Sequence, residues 1–215
     1  MSHFPRRSPR KAAATLAVAA AALAGAAGPA EASLSLLKPT DDAAATFYGK
    51  GGYSIDGMGK VGAGGTIQAE VPAGSTIVQA YLHGTYNSDH PGAEGQVIDF
   101  DGTAVTLFKI AQNSGYAGLG TSRADVTAQV AQKVGSGGGI TDFTVNTDPS
   151  GMDGLSLTVI YSNASLPEVT IAVLDGSAAT SGDTTTFGFA APLNTSKTGF
   201  RATMAVGIGF SYQPP

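Results

Sequence analysis

Apolar side chains recur at every second position along much of this chain, the spacing that gives a β-strand one buried face and one wetter face. The pattern is cleanest between Leu155 and Asp175. Leu155, Leu157, Val159 and Tyr161 share a parity in a first run, as do Val169, Ile171 and Val173 in a second. Between them stand Asn163, Ser165 and Pro167, which form turns or remove a ladder donor. The two runs are therefore expected to be antiparallel neighbours in a hairpin on which the remainder packs.

Upstream, Gly49 to Gly65 is dominated by glycine, with Tyr53 and Ile55 suggesting a short strand before Asp56-Gly57. That stretch is expected to be loop or edge. Gly57, Gly59 and Gly62 spell a G-x-G-x-x-G, but the next stretch, Thr66 to Val71, is strand-like and not a helix whose amino end faces a phosphate, so no dinucleotide site is assigned. Val71 to Gly74 predicts a turn. Thr76 to Tyr86 then predicts a strand in which Val78, Ala80 and Leu82 oppose Gln79, Tyr81 and His83. Asn87 to Gly95 reads as a polar loop. Asp101-Gly102, flanked by Gln96 to Phe100 and Thr103 to Phe108, predicts a hairpin with a two-residue type I′ turn, because both residues tolerate positive φ.

Thr121 to Asp125 predicts a helix start with Ser122 as cap and Asp125 answering it, which puts Val126, Val130 and Val134 on one face before Gly135 to Gly139 ends the helix. Ile140 to Asn146 and Asp183 to Ala190 predict further strands. Phe200 to Phe210 predicts the longest one, with Phe200, Ala202, Met204, Val206, Ile208 and Phe210 alternating with small residues, a central strand whose Gly-lined face is crossed closely by other backbone. Leu34 to Ala45 gives no clear pattern. About nine short strands, two hairpins and one minor helix predict an all-β fold: a two-layer antiparallel β-sandwich of jelly-roll or immunoglobulin-like type with one short helix.

Composition sharpens this. Only 13% of the 215 residues are charged and 30 are Gly, which favours strands and turns over long surface helices. Arg6 to Lys11 is basic, Ala12 to Ala27 is apolar and Ala-rich, and Ala30-Glu31-Ala32 fits a small-x-small cleavage site. Residues 1–32 are expected to be a cleaved signal peptide and residues 33–215 a single exported domain, extracellular or at the cell surface. The apolar run is shorter than the roughly 20 residues that a spanning helix needs, so no transmembrane segment is expected in the mature chain. Arg6-Arg7 leaves open whether export is by the general or the twin-arginine route. Removing the leader, with its four basic residues and one acidic residue, leaves 8 basic against 15 acidic residues and a net charge of -7. That balance argues against nucleic acid as a partner. With no Cys, disulfides, thiolate metal sites and Cys nucleophiles are excluded.

Val71-Pro72-Ala73-Gly74 with Thr76 to Leu82, Asp101 to Val105, Arg123 to Thr127, Leu155 to Tyr161, Ser165-Leu166-Pro167 and Leu174-Asp175-Gly176 together resemble a family of exported bacterial β-rich domains of uncharacterised function. Such domains occur alone or attached to cell-surface repeats and sorting tails. The resemblance implies a secreted or surface module and carries over no catalytic residues. Members of that family often continue past the equivalent of Phe210 to Gln213, so relative to them this chain is expected to be either a member shortened at its C-terminus or a fragment.

Catalytic templates find little purchase. The mature chain offers His83 and His90 but no G-x-S-x-G elbow. His83 is in phase with Tyr81 and is expected on the less buried face. Glu70, Glu94 and Glu168 sit in separate segments with no spacing that pairs them as in a glycosidase, and no His-rich zinc spacing exists. Leu166-Pro167-Glu168-Val169-Thr170 departs from a sortase signal and lies mid-chain. If the Leu155–Asp175 region is a hairpin, the loops holding Asp148 and Asp153 and those holding Asp175 and Asp183 emerge together. These four carboxylates are then candidate ligands of one calcium ion, a cation that takes hard oxygen donors from loops. The leading functional expectation is a non-catalytic secreted or cell-surface module with a structural or adhesive role, meeting cell-surface proteins or glycans. The alternatives are a carbohydrate-binding module, for which Tyr53, Tyr86 and Tyr116 are the loop or edge aromatics, and an exported hydrolase.

Overall fold

The computed structural model describes residues 34–37, 46–59, 64–87, 96–113, 118–146, 152–178, 184–189 and 193–209. Two units divide the chain, one of residues 1–27 and 188–200 and the other of residues 28–187 and 201–215. In the first, Asn194 shapes a turn. Its side-chain Oδ1 accepts from the Ser196 N–H at 3.2 Å, its carbonyl accepts from Lys197 N–H, and Gly199 at φ 81° leads into Phe200. The strands and the helix among the described residues belong to the second unit.

That unit is all-β with antiparallel sheets and one short helix. In chain order its elements are β1 (Leu34–Leu36), β2 (Thr46–Gly59), β3 (Gly65–Val71), β4 (Thr76–Asn87), β5 (Val97–Phe100), β6 (Thr103–Thr106), β7 (Phe108–Gln112), β8 (Leu119–Asp125), α1 (Thr127–Val134), β9 (Gly139–Asn146), β10 (Met152–Ser162), β11 (Glu168–Ala172) and β12 (Leu174–Gly176). A six-stranded sheet has the order β11-β2-β10-β4-β8-β7, a four-stranded sheet the order β3-β9-β5-β6, and β1 pairs with β12. The period-two pattern decides what each face meets. Leu155, Leu157 and Val159 of β10 and Ala80, Leu82 and Tyr86 of β4 pack with Ile67, Ala69, Phe100, Phe143 and Val145 of the four-stranded sheet as the main core. Phe100 and Phe143 stack with centroids 5.1 Å apart. On the opposite face of the six-stranded sheet, Tyr81 and Ile160 form a second cluster with Leu37 and Val173.

The Asp101-Gly102 hairpin is as the sequence predicts: Phe100 faces Thr103, and φ is 53° at Asp101 and 78° at Gly102. Strands β3, β4 and β9 also lie where the alternation puts them. The hairpin expected between Leu155 and Asp175 is not one. Strand β2 lies between β10 and β11 and is antiparallel to both, so β10 and β11 run in the same direction. Gly51 to Gly59 pairs with β10, and Thr46 to Lys50 pairs with β11 on the other side. The chain changes sides at Lys50-Gly51, where the Lys50 carbonyl accepts from Asn163 N–H at 2.9 Å and Gly51 N–H donates to the Pro167 carbonyl at 3.3 Å. The Asn163–Pro167 join still turns, with Asn163 Oδ1 accepting from Ser165 N–H at 3.0 Å, but it steps across a strand instead of folding back.

The glycine-rich stretch, as far as it is described, is therefore strand and not loop, and from Tyr53 onward it is an edge, as the sequence allows. Its glycines are what the crossing requires. A Cβ at Gly51 would run into the Tyr161 carbonyl, and one at Gly52 would sit 2.7 Å from the Tyr161 hydroxyl, so the Tyr161 side chain fills the space that glycine leaves.

The helix has the predicted apolar face, with Val126, Val130 and Val134 buried, and it ends at Gly135 with φ 57°. Its start is four residues later than a Ser122 cap would give. Thr121 to Asp125 are strand β8 paired to β4, the Ser122 hydroxyl bonds the Gly84 carbonyl, and Asp125 Oδ1 accepts from Thr127 N–H at 2.9 Å. The strands expected from Asp183 to Ala190 and from Phe200 to Phe210 are also corrected, since residues 184–189 and 200–209 have no ladder partner among the described residues. In the last segment the glycines meet side chains and not crossing backbone. Gly207 lies against the Ser156 side chain and Gly209 against Thr85, while Met204, Val206 and Ile208 are exposed.

Candidate functional site

The open half of β2 borders a shallow recess. Because β11 pairs only with Thr46 to Lys50, the β2 edge from Tyr53 onward has no strand beside it on that side among the described residues. The four-stranded sheet comes in there through its own edge strand, β3. The Asp56 carboxylate accepts from Gln68 N–H at 2.7 Å, and the Ser54 hydroxyl accepts from Glu70 N–H at 3.0 Å. Two polar side chains thus satisfy β3 backbone donors that would otherwise be open to edge pairing.

Between the joined edges lies a shallow depression of about 280 Å³ lined by Tyr53, Ser54, Ile55, Glu70, Pro72 and Tyr161. Tyr161 is held by packing in the main core, and burial followed by the Glu70 carboxylate pushes its hydroxyl pKa up, so it stays a neutral donor at physiological pH. The Tyr53 hydroxyl donates to Thr203 Oγ1 at 3.3 Å, which fixes that ring at the rim. Chemically the recess offers an acceptor in Glu70, hydroxyls able to donate and accept, and apolar surface from Ile55, Pro72 and the rings. Among the described residues it has no cationic lining residue.

A second polar cluster lies on the outer face of the six-stranded sheet. After β11 the chain crosses that face. Val173 packs on Tyr81 and Ile160, Asp175 reaches Arg123 Nη1 and lies 3.3 Å from His83 Nε2, and the Gly176 carbonyl accepts from the Thr121 hydroxyl at 2.8 Å. The Arg123 guanidinium also stands 5.5 Å from the Tyr81 ring centroid. His83 is on the face opposite the main core, as its phase predicts, and the crossing segment covers it to 12% exposure.

Of the four candidate calcium ligands, Asp148 and Asp183 lie outside the described residues. Asp153 is in β10 and not in a loop, and the Asp175 carboxylate is engaged by a guanidinium and an imidazole. The hairpin that was to bring the four together is replaced by the crossing at β2. Among the described residues no group of three or more His, Cys, Asp or Glu side chains is placed to hold a metal ion.

The three candidate aromatics separate. Tyr53 is at the recess. Tyr86 is fully buried in the main core, where its ring lies over Gly120 directly opposite on β8. Tyr116 is outside the described residues. Sequence reasoning missed Tyr161 and Glu70 as partners of Tyr53, because their proximity depends on the side change at Gly51. The glycine pair facing a strand tyrosine was the available signal.

Among the described residues no helix is long and apolar enough to cross a membrane. No protein-family model matches the chain, and searches of characterised proteins and of solved structures return no significant match.

Proposed function

We propose that this chain is a non-catalytic exported interaction module of the cell surface, and that the surface it works through is the tyrosine-lined recess, which takes a neutral saccharide. The observation that carries this reading is the convergence of Tyr53, Tyr161 and Glu70 from three strands on one open depression. Saccharides present hydroxyls in every direction around apolar C–H faces. They are held by carboxylate and hydroxyl partners beside an aromatic or aliphatic wall. A lone carboxylate without a cation beside it in the recess disfavours phosphates and acidic sugars.

The leader supports export, and the resemblance to exported β-rich domains supports a module that binds instead of transforming its ligand. Titration of the mature chain with a panel of neutral and acidic polysaccharides tests the proposal. Binding is expected for a neutral member, weakened by about tenfold, or ~1.4 kcal/mol, in Tyr53→Ala and in Glu70→Gln. Uniform absence of binding across the panel, or binding that both variants retain in full, removes the reading.

A further inference from the structure

Two residues that line the recess are also held from outside it. Tyr53 and Ile55 stand on the outer face of β2, where the Tyr53 hydroxyl donates to Thr203 Oγ1 at 3.3 Å and a Cβ on Gly207 would come within 3.9 Å of Ile55 Cδ1. The same segment continues over the sheet. A Cβ on Gly207 would lie 3.0 Å from Ser156 Oγ on β10, and Gly209 packs so closely on Thr85 of β4 that no Cβ fits. Residues 203–209 therefore pass over β2, β10 and β4, which are neighbours in the six-stranded sheet.

What holds this segment is slight. Its backbone has no ladder partner among the described residues, and residues 203–208 are exposed. It rests on the Tyr53–Thr203 hydrogen bond and on the fit of Gly207 and Gly209 against the sheet. Segments with few buried contacts open locally at low free energy. When this one lifts, the Tyr53 hydroxyl loses its acceptor and Ile55 loses a neighbour, so two walls of the recess are freed to move. A ligand that packs on Tyr53 and Ile55 binds the docked state better, and by linkage it favours docking to the same extent.

We propose that residues 203–209 are a strap that positions the Tyr53 and Ile55 wall of the recess, so that a docked strap and an occupied recess stabilise each other. The occupied half of this linkage rests on the saccharide reading; the setting of Tyr53 by the strap does not. Gly209→Val tests both, since it sits at the end of the strap away from Thr203 and its side chain meets Thr85 in an interior strand. Three readouts are followed: amide hydrogen exchange at residues 203–208, the Tyr53 ring signals by nuclear magnetic resonance without ligand, and affinity for the neutral saccharide that the parent chain binds best. In Gly209→Val, exchange at 203–208 is expected to rise, the Tyr53 signals to shift and the affinity to fall about fivefold. In the parent chain, saturating saccharide is expected to slow exchange at 203–208. Exchange that Gly209→Val leaves unchanged overturns the proposal, as does a freed strap with Tyr53 signals and affinity like the parent's, or a bound saccharide that leaves exchange at 203–208 as it was. If the parent binds no saccharide, the saccharide reading falls and the strap is judged on Tyr53 alone: shifted ring signals support it and unmoved ones overturn it. Circular dichroism checks the fold of Gly209→Val, and if it is lost Thr203→Val, which removes only the acceptor at the rim, is read by the same criteria on Tyr53 and affinity.

Discussion

Gly51 is where the chain passes from one side of β2 to the other, and its missing side chain is what allows the Tyr161 carbonyl to approach. Gly51→Ala adds one methyl group at a backbone contact that cannot yield like a flexible side chain. The expected cost is about 1–3 kcal/mol, or a melting point lower by about 2–4 °C for each kcal/mol, read by thermal unfolding. Gly57→Ala is the control. A Cβ there meets the Leu155 carbonyl at 3.6 Å, an ordinary contact, and the change is expected to be far milder.

Asp101 works differently. It holds a turn at φ 53°, and the Lys133 ammonium at 2.5 Å, helped by Thr144, keeps its carboxyl below the usual carboxylate range against the opposing effect of burial. A carboxylate with a lowered folded-state pKa adds stability above its unfolded value and loses it as pH falls through the folded value. Asp101→Asn keeps the tolerance for positive φ and removes the charge. Urea unfolding is expected to show a deficit below about 1 kcal/mol at neutral pH, since the pair is partly exposed, closing as the pH is lowered through the carboxylate range. A deficit that is constant with pH would assign the loss to the turn and not to the ion pair.

At the scale of elements, the crossing segment from Val173 to Gly176 is held on the outer face by one carboxylate between Arg123 and His83. Asp175→Ala leaves both partners without it and is expected to cost about 2–3 kcal/mol, as for hydrogen bonds to charged groups. Amide hydrogen exchange is expected to rise in β1 and β12 while β10 and β4 stay protected. Uniform loss of protection would mean that the segment is no separate unit.

The same segment shows how much was legible in the sequence. Period two located β3, β4, β9 and β10, and Asp101-Gly102 located its hairpin, because these signals are local. The pairing of β10 with β2 is not local. Glycine at 51, 52 and 57 reads as loop until Tyr161 and the rest of β10 are beside it, and only the fold supplies them. For the same reason Asp175 reads in the sequence as a loop carboxylate open to calcium, while its cationic partners come from β4 and β8, far away along the chain. Of the recess, Tyr53 could be nominated from the sequence. Glu70 was visible only as an isolated carboxylate, and Tyr161 only as a strand aromatic.

At the scale of the whole molecule, the polar recess lies where the two sheets meet at an edge, and the segment carrying Thr203 reaches its rim. Thr203, which accepts the Tyr53 hydroxyl hydrogen bond, and the exposed row from Met204 to Ile208 are consecutive along one segment. Thr203→Ala is therefore expected to loosen the Tyr53 ring and weaken saccharide binding by less than Tyr53→Ala does. Parallel titration of the two variants checks this.

The recess is tested most directly by an amide-resolved nuclear magnetic resonance titration of the isotope-labelled mature chain with the neutral saccharide that binds best. Shifts are expected to saturate together and to be confined to the neighbourhood of Tyr53, Ser54, Ile55, Glu70 and Tyr161. Saturating shifts centred on any other face, with these five residues unmoved, would contradict a saccharide site at the recess.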